Sequence, residues 1–317
     1  MAEEKLLSSY RKMLLIRLLE ERISALYSEG AIAGTCHLCI GQEAVAVGVA
    51  GALELGDQVV SCHRGHGHLL AMGGEPARLL GELMGRQIGY CRGRGGSQHL
   101  SAPGIGLLGT NGITGGGIPI ATGAALSARL LRTGAAVVCF FGDGATNQGT
   151  FHESLNMAAL WSLPVLYVCE NNRYAMSEPV CRTIAGGEIL PRARAYGIAA
   201  ECVDGMDVEA VEQAAKRALA AIRAGKGPVF IEAATYRFCG HSRSDKLVYR
   251  TREEEAQWRE RDPLTVTRLR LEKAGWKERL PWVEEEVRRQ IAEAEEACRR
   301  SPPTPPETAL QGVYADG

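Results

Sequence analysis

Two short apolar runs that lack polar alternation set the pattern of this chain. The first is Ala135-Ala-Val-Val-Cys-Phe-Phe141 and the second is Pro164-Val-Leu-Tyr-Val-Cys169. Runs of this length, rich in β-branched and aromatic residues, predict strands covered on both faces of a parallel sheet. Between them Thr150-Phe-His-Glu153 has the form of a capping box, which leads into a helical pattern through Leu155, Ala159 and Leu160 to Trp161. The unit is strand, crossover helix, strand. Its two strands point the same way, so the loops after them, carrying Asp143 and Asn172, fall at one edge of the sheet.

The patterning continues in both directions. Residues 4–28 read as an amphipathic helix, with Leu6, Tyr10, Met13, Leu14, Leu18 and Ile23 on or near one stripe. A small-residue helix over 44–53, a strand over 58–62, a helix over 76–87 and a Gly/Arg-rich loop over 89–97 follow. An Ala-rich helix at 120–131 then feeds the first apolar run. Beyond Asn172 the pattern predicts a helix over 191–196, a strand near Glu201, and a long helix from Val208 begun by Gly205-Met-Asp207 and closed by Gly225. A further covered strand spans 228–236. Residues 251–300 are charge-rich and helical, with Trp258, Trp276 and Trp282 as apolar anchors. Ser301-Pro-Pro-Thr-Pro-Pro306 starts a stiff extended tail over 301–317, of a kind expected to lie on a partner subunit.

Composition adds bounds to this α/β reading. The 317 residues, 45% hydrophobic, suffice for one large domain or two smaller ones. A formal net charge of −1 gives no electrostatic case for nucleic acid or an anionic membrane. The start, Met-Ala-Glu-Glu-Lys, has no basic segment leading into an apolar stretch, and no apolar run is long enough to span a bilayer, so a soluble cytoplasmic protein is expected. The ten cysteines are scattered, several within apolar runs. Cys36-His-Leu-Cys39 has zinc or redox spacing but no second pair to complete a closed site, and reads as buried reduced thiols.

The candidate chemistry collects at the sheet edge. One carboxylate and one carboxamide, Asp143 and Asn172, with a nearby carbonyl, are too few for a calcium cage. They suit Mg²⁺, which completes its octahedron with phosphate oxygens and water. Gly142 and Gly144 let the backbone come close to a phosphate, and the helix beyond offers free N–H groups. Between Gly144 and Asn171 lie 26 residues (171 − 144 − 1). Strand 58–62 delivers His63-Arg-Gly-His-Gly-His68, in which Arg64 reads as a fork for a diphosphate oxygen with His63 beside it. His66 and His68 read equally well as hydrogen-bonded residues at a helix start. Gly104-Ile-Gly-Leu-Leu-Gly109 matches the dinucleotide fingerprint only formally, because it follows no strand and opens no helix. The glycine-rich stretch Asn111 to Pro119 is better suited to lie against a flat heterocycle.

A Gly-Asp-Gly followed at this distance by Asn-Asn resembles the motif of thiamine diphosphate enzymes. Together with Cys36-His-Leu-Cys-Ile-Gly-Gln-Glu-Ala44, Leu155-Asn-Met-Ala-Ala-Leu-Trp161, Glu170-Asn-Asn-Arg-Tyr174 and Tyr249-Arg-Thr-Arg-Glu253, it makes nearly the whole chain resemble one family. That family is the α subunit of the thiamine-dependent decarboxylating component of pyruvate, branched-chain and acetoin dehydrogenase complexes. The resemblance implies a single thiamine diphosphate-binding domain over 1–317, with a mostly parallel sheet, helices on both faces and a helical C-terminal extension over 251–300. It implies Mg²⁺ held by Asp143, Asn172 and the Tyr174 carbonyl, and a diphosphate held by the Gly144 and Ala145 N–H groups, Arg64 and His241. It places Gly112 and Thr114 at the aminopyrimidine, and makes His37, beside the substrate pocket, and His241 the catalytic candidates. Position 63 departs from the pattern, with His where pyruvate-type relatives usually have Tyr.

The resemblance further implies half an active site. The glutamate that activates the cofactor would come from a β subunit in a heterotetramer of two α and two β chains, and the acyl group would pass to lipoyl groups of an acyltransferase core. The segments around His37 and Gly240-His-Ser242 look pyruvate-like, whereas His63 to His68 and Asn111 to Pro119 resemble acetoin dehydrogenase. Ser242 falls where mitochondrial relatives are phosphorylated. The rival readings are a self-contained thiamine enzyme, for whose second domain the chain has no room, a Mg²⁺ phosphohydrolase, which lacks an acidic cluster beside Asp143, and a binding-only subunit.

Overall fold

The computed structural model describes residues 2–311. In chain order the elements begin with α1 (Ala2–Ser28), α2 (Glu43–Ala50), β1 (Gln58–Cys62), α3 (His66–Ala71), α4 (Pro76–Leu83), β2 (Leu107–Asn111), α5 (Gly117–Leu130) and β3 (Val137–Gly142). There follow α6 (Gly149–Leu160), β4 (Val165–Asn171), the short pair β5 (Tyr174–Ala175) and β6 (Glu178–Pro179), α7 (Val180–Thr183), α8 (Leu190–Arg194), β7 (Ala199–Asp204), α9 (Val208–Arg223) and β8 (Val229–Ala234). Three helices end the chain: α10 (Arg252–Arg259), α11 (Pro263–Lys273) and α12 (Leu280–Arg300).

Six strands form one sheet in the order β2-β1-β3-β4-β8-β7, and every neighbouring pair is parallel. β3 and β4 pair from Val137↔Val165 to Gly142↔Glu170, so the predicted strand–helix–strand unit lies at the centre of the sheet. Its apolar runs conceal a period of two. Val138, Phe140, Leu166 and Val168 face a core made with α1, α2, α9 and α12, while Val137, Cys139, Phe141, Val165, Tyr167 and Cys169 face one made with α5, α6 and α8. A strand with a core on each side needs no polar alternation, as expected. From β1 the chain reaches β2 on one side and β3 on the other, which opens a crevice at the carboxyl ends of β1 and β3.

Two start signals fared differently. Asp207 caps α9, its Oδ1 accepting from the Glu209 N–H at 3.0 Å and the Ala210 N–H at 3.3 Å, and Gly225 follows the helix at φ +75°. The expected Thr150–Glu153 capping box does not form. A 3₁₀ turn over Asp143–Asn147 precedes α6, which starts at Gly149, so Thr150 is already inside the helix and its Oγ1 turns to the Gly115 carbonyl at 3.4 Å. Arg192 holds that turn from outside, with Nη1 donating to the Thr146 carbonyl and to Asn147 Oδ1, both at 2.8 Å.

The C-terminal region departs from expectation at two points. Trp258 stacks on Tyr236 at 5.1 Å and Trp276 packs on the core, but Trp282 is 67% exposed and joins no core among the described residues. The described start of the tail lies along its own chain: the Thr304 N–H donates to the Gly85 carbonyl and the Gln87 N–H to the Pro302 carbonyl, at 2.9 and 3.0 Å. Residues 312–317 of the expected partner-binding tail lie outside the described residues.

A buried charge cluster joins the N-terminal and C-terminal helices. Arg17 on α1 makes a two-point contact with Glu43 on α2 (2.6 and 3.0 Å) and reaches Asp262, the cap of α11, at 2.9 Å. Removing the guanidinium leaves two buried carboxylates facing each other. Arg17→Met is expected to destabilise the chain by about 3–5 kcal/mol, whereas Arg217→Ala, in an exposed pair, is expected to cost less than about 1 kcal/mol. Urea unfolding of both variants checks the contrast.

Candidate active site

The carboxyl ends of β1, β2, β3 and β4 open onto one cavity of about 240 Å³. Its wall includes His63 and Arg64 after β1, Asn111 and Thr114 after β2, Asp143, Gly144 and Ala145 after β3, Asn172 and Tyr174 after β4, and His241 from the loop after β8. Most of the residues singled out from the sequence therefore meet here, although they span the chain from 63 to 241. Gly112 and His37 do not line the cavity. Gly112 stands behind the wall, where a Cβ would come within 2.6 Å of Gln98 Oε1. His37 packs edge-on against the cavity residues His63 and His241, with ring centroids 4.7 and 4.9 Å apart.

Asp143 is only 2% exposed, and its Oδ2 has no hydrogen-bond partner. Burial pushes its carboxyl up to about 6, against the opposing pull of backbone N–H groups and of Arg237 and Arg64. A buried carboxyl oxygen left without a partner beside a cavity is costly unless a proton, a water or a cation satisfies it. Asn172 supplies the neighbouring amide. Its Nδ2 donates to Gln42 Oε1 at 3.0 Å, which fixes the side chain, and Gln42 Nε2 is itself buried without a partner. Asn171 takes a different part: its Nδ2 donates to Glu232 Oε1 at 2.7 Å and its Oδ1 accepts from the Arg173 N–H at 3.2 Å. Both side chains brace the turn, since Asn172 Oδ1 accepts from the Tyr174 N–H at 3.4 Å, but only Asn172 lines the cavity.

Tyr174 is held by its hydroxyl, which donates to Glu254 on α10 at 2.8 Å. Gly142 has open space where a side chain would project, whereas a Cβ at Gly144 would come within 2.9 Å of Ala175 Cβ. The loop after β3 thus rests on the loop after β4. The chain is bare where a phosphate would approach, and its donors there come from the 3₁₀ turn, because α6 starts five residues past Gly144 (149 − 144).

Arg64 also latches loops together. Its Nη1 donates to the Leu38 carbonyl and its Nη2 to the His241 carbonyl, both at 2.7 Å. Nη2 also lies 3.2 Å from His241 Nδ1, so it is Nη1 that keeps a second hydrogen for an anion. A second buried guanidinium, Arg237, donates to the Met176 carbonyl at 3.1 Å and the Tyr249 hydroxyl at 2.9 Å, and burial beside Arg64 lowers it to about 10. The sequence reading gave Arg237 no role, nor Gln42 and Glu170, which also line the cavity. The last two stand within motifs quoted above, but only the fold brings Arg237 beside Arg64.

Burial and the field of the two arginines keep His63 and His241 of the cavity wall, and His37 packed behind them, neutral. His37 is lowered to about 4, His63 to about 2 and His241 to about 3, each first by burial and then by Arg64. These three are the one group of potential metal ligands close together among the described residues, within 4.8 Å of one another, and the flanking guanidiniums make their surroundings better suited to an anion. His66 and His68 are scaffold. His66 Nδ1 meets Glu20 Oε1 at 2.6 Å and its Nε2 meets Ser97 Oγ at 3.0 Å, while His68 Nδ1 meets Ser61 Oγ at 2.8 Å. Cys36 and Cys39 are free and buried, and burial pushes the Cys36 thiol up to about 12. After Gly104 comes β2 in place of a helix, so the fingerprint match is accidental.

A model of the family described as dehydrogenase E1 component matches residues 11–307. The α subunit of acetoin:2,6-dichlorophenolindophenol oxidoreductase from Bacillus subtilis is 47% identical over 257 residues, 81% of this chain and 77% of that one. The pyruvate dehydrogenase E1 component subunit α of Zymomonas mobilis is 45% identical over 302 residues, 94% of this chain and 85% of its own. Its counterpart from Rhizobium meliloti is 47% identical over 264 residues, covering 83% and 76%. No described helix is long and apolar enough to cross a membrane.

The depressed histidines carry a pH consequence. Between their folded values and the ordinary imidazole value near 6.5, the unfolded chain binds more protons than the folded one, so stability rises with pH through that window and is lost on acidification. Urea titrations of the wild-type chain are expected to show this loss between about pH 6.5 and 4. The triple variant His37→Asn/His63→Asn/His241→Asn is expected to show a smaller one.

Proposed function

The chain belongs to the dehydrogenase E1 component family, and on that premise we propose that it is the α subunit of a thiamine diphosphate-dependent dehydrogenase. The reaction is decarboxylation of a 2-oxo acid, with pyruvate as the substrate, and transfer of the acyl group to lipoyl groups of an acyltransferase core. The observation that carries this reading is the buried Asp143 carboxyl, with one oxygen unpartnered, set beside Asn172 and the open backbone of Gly142. That donor set suits Mg²⁺ and a diphosphate.

In this reading Asp143, Asn172 and the Tyr174 carbonyl hold Mg²⁺. The N–H groups of Gly144 and Ala145, with Arg64, His63 and His241, take the diphosphate, and Gly112 and Thr114 border the aminopyrimidine. Bound there, thiamine diphosphate supplies the nucleophilic carbon and the electron sink that bond cleavage beside a carbonyl requires. The chain's own part is electrostatic. Arg64 and Arg237 balance the anionic cofactor and substrate, and the neutral His37, His63 and His241 offer ring N–H groups without a proton to shed.

The glutamate of the cavity, Glu170, lies 3.4 Å from His68, so an activating carboxylate is expected from elsewhere. A β subunit supplies it, in an assembly of two α and two β chains within the cytoplasm, with residues 1–317 as one cofactor-binding domain. The identity with the Bacillus subtilis subunit supports a second reading, in which the same site cleaves acetoin.

Assays of the chain co-expressed with its β partner, using pyruvate, branched-chain 2-oxo acids and acetoin, decide between these readings, with pyruvate expected to turn over fastest. The α chain alone is expected to show little turnover, and full activity without a partner would refute the shared site. In the assembly, Asp143→Ala is expected to weaken Mg²⁺-dependent uptake of thiamine diphosphate by more than roughly 100-fold in titration calorimetry. Unchanged uptake would remove the basis of the proposal.

A further inference from the structure

A ring of hydrogen bonds behind the cavity ends on His37, and its other members have no part in the reading given above. Glu20 on α1 accepts the Cys39 N–H at 2.7 Å with one oxygen and meets His66 Nδ1 at 2.6 Å with the other. His66 Nε2 meets Ser97 Oγ at 3.0 Å, and the next residue, Gln98, places its side-chain nitrogen 3.0 Å from His37 Nδ1. His37 lies two residues before Cys39, so the ring closes on the loop where it began. Glu20 and His66 are fully buried, and Ser97 is buried. Gln98 is further pinned through its backbone: its carbonyl accepts the Thr110 hydroxyl at 2.6 Å, and the Leu100 N–H donates to that hydroxyl at 2.8 Å. The side-chain oxygen of Gln98 lies in the space left by the missing side chain of Gly112.

An amide nitrogen donates and cannot accept, so the atom of His37 that faces it must be the acceptor. A neutral imidazole carries one proton, which then stands on the opposite nitrogen. Among the described residues no protein group hydrogen-bonds His37 Nε2, and the ring lies edge-on to His63 and His241, both in the cavity wall.

We propose that Gln98 is a positioning residue, whose side-chain amide donates to His37 Nδ1 and keeps the His37 proton on Nε2, so that His37 meets the substrate carbonyl oxygen as a hydrogen-bond donor. The proposal rests on the dehydrogenase reading for its substrate, but the tautomer itself does not. It assigns the Glu20–His66–Ser97 chain its purpose, which is to fix where Gln98 stands relative to the loop carrying His37. It also accounts for glycine at 112, since any side chain there would displace the amide.

The test uses two substitutions and two kinds of measurement. The first is ¹⁵N NMR of the full chain labelled at histidine, with the His37 signals assigned by their absence in His37→Asn. The expected result is an unprotonated Nδ1 and a protonated Nε2, and a protonated Nδ1 overturns the proposal. In Gln98→Met, which removes the donor at similar volume, the His37 signals are expected to become a mixture of the two tautomers. Signals unchanged from wild type would overturn the proposal.

The second measurement is steady-state kinetics of the α–β assembly saturated with cofactor. Gln98→Met is expected to lower kcat by roughly 10- to 100-fold while KM is little changed. Gln98→Glu, an acceptor only, draws the proton to Nδ1 and raises the affinity of the ring for a second proton. It is expected to add an ionisation to the kcat/KM profile between roughly pH 5 and 7 that the wild type lacks. The charged and titratable groups around His37 that this new ionisation must overcome are Arg64, Arg237, His63, His66 and His241. Equal losses in both variants at every pH, accompanied by lowered thermal stability, mark a structural role and overturn the proposal. A wild-type assembly that shows the Nε2 tautomer but turns over no 2-oxo acid or acetoin supports the tautomer assignment and overturns the dehydrogenase reading.

Discussion

A carboxyl group held away from water with one oxygen unsatisfied is the constraint on which the rest of the site depends. Burial raises the proton affinity of Asp143, and a fold keeps such a group only where something else compensates. Nearby lie the side chain of Asn172, fixed by Gln42, and the guanidiniums of Arg64 and Arg237. In the reading proposed above, a divalent cation would neutralise the carboxylate, and the arginines would balance the diphosphate that it carries. The three neutral histidines fit the same balance, since a protonated ring would add charge to a region that already holds two buried cations.

The position of Asp143 follows from the sheet. Parallel strands place all their carboxyl ends at one edge, and the reversal of strand order between β1 and β3 opens a crevice there. The two cores, one on each face, hold β3 and β4 rigid, so the loops after them are set by strand register. Gly144 against Ala175 then brings the acid and amide loops into contact. The site is precise because its first residues leave the most buried strands of the molecule.

Much of the structure consists of long-range polar contacts that hold loops to this edge. Arg64 ties the loop at Leu38 to the loop at His241, and Arg237 ties the latter region to Met176 and Tyr249. Tyr174 and Tyr236 both donate to Glu254, which fastens the C-terminal helices to the rim. His66 and His68, which the sequence left open between chemistry and a hydrogen-bonded place at a helix start, are parts of this framework.

The local sequence was enough for the central unit and for the sheet edge at which the candidate residues meet. Uninterrupted apolar runs require two covered faces, glycine and asparagine mark the turns after them, and the spacing between Gly144 and Asn171 fits one crossover helix. It was not enough for the capping of α6, because the 3₁₀ turn before that helix is stabilised by Arg192, a residue 45 positions from Asn147. Nor could it distinguish the histidine that faces the cavity from those that brace it, since His63, His66 and His68 share one short motif. Their separation depends on Glu20, Ser97 and Ser61, brought to them by α1, the loop before β2 and β1 itself. Hydrophobic period and turn chemistry act between near neighbours and can be read in order along the chain. The protonation and partners of a buried polar group depend on what is packed against it from distant segments, and that was decided only when the chain closed.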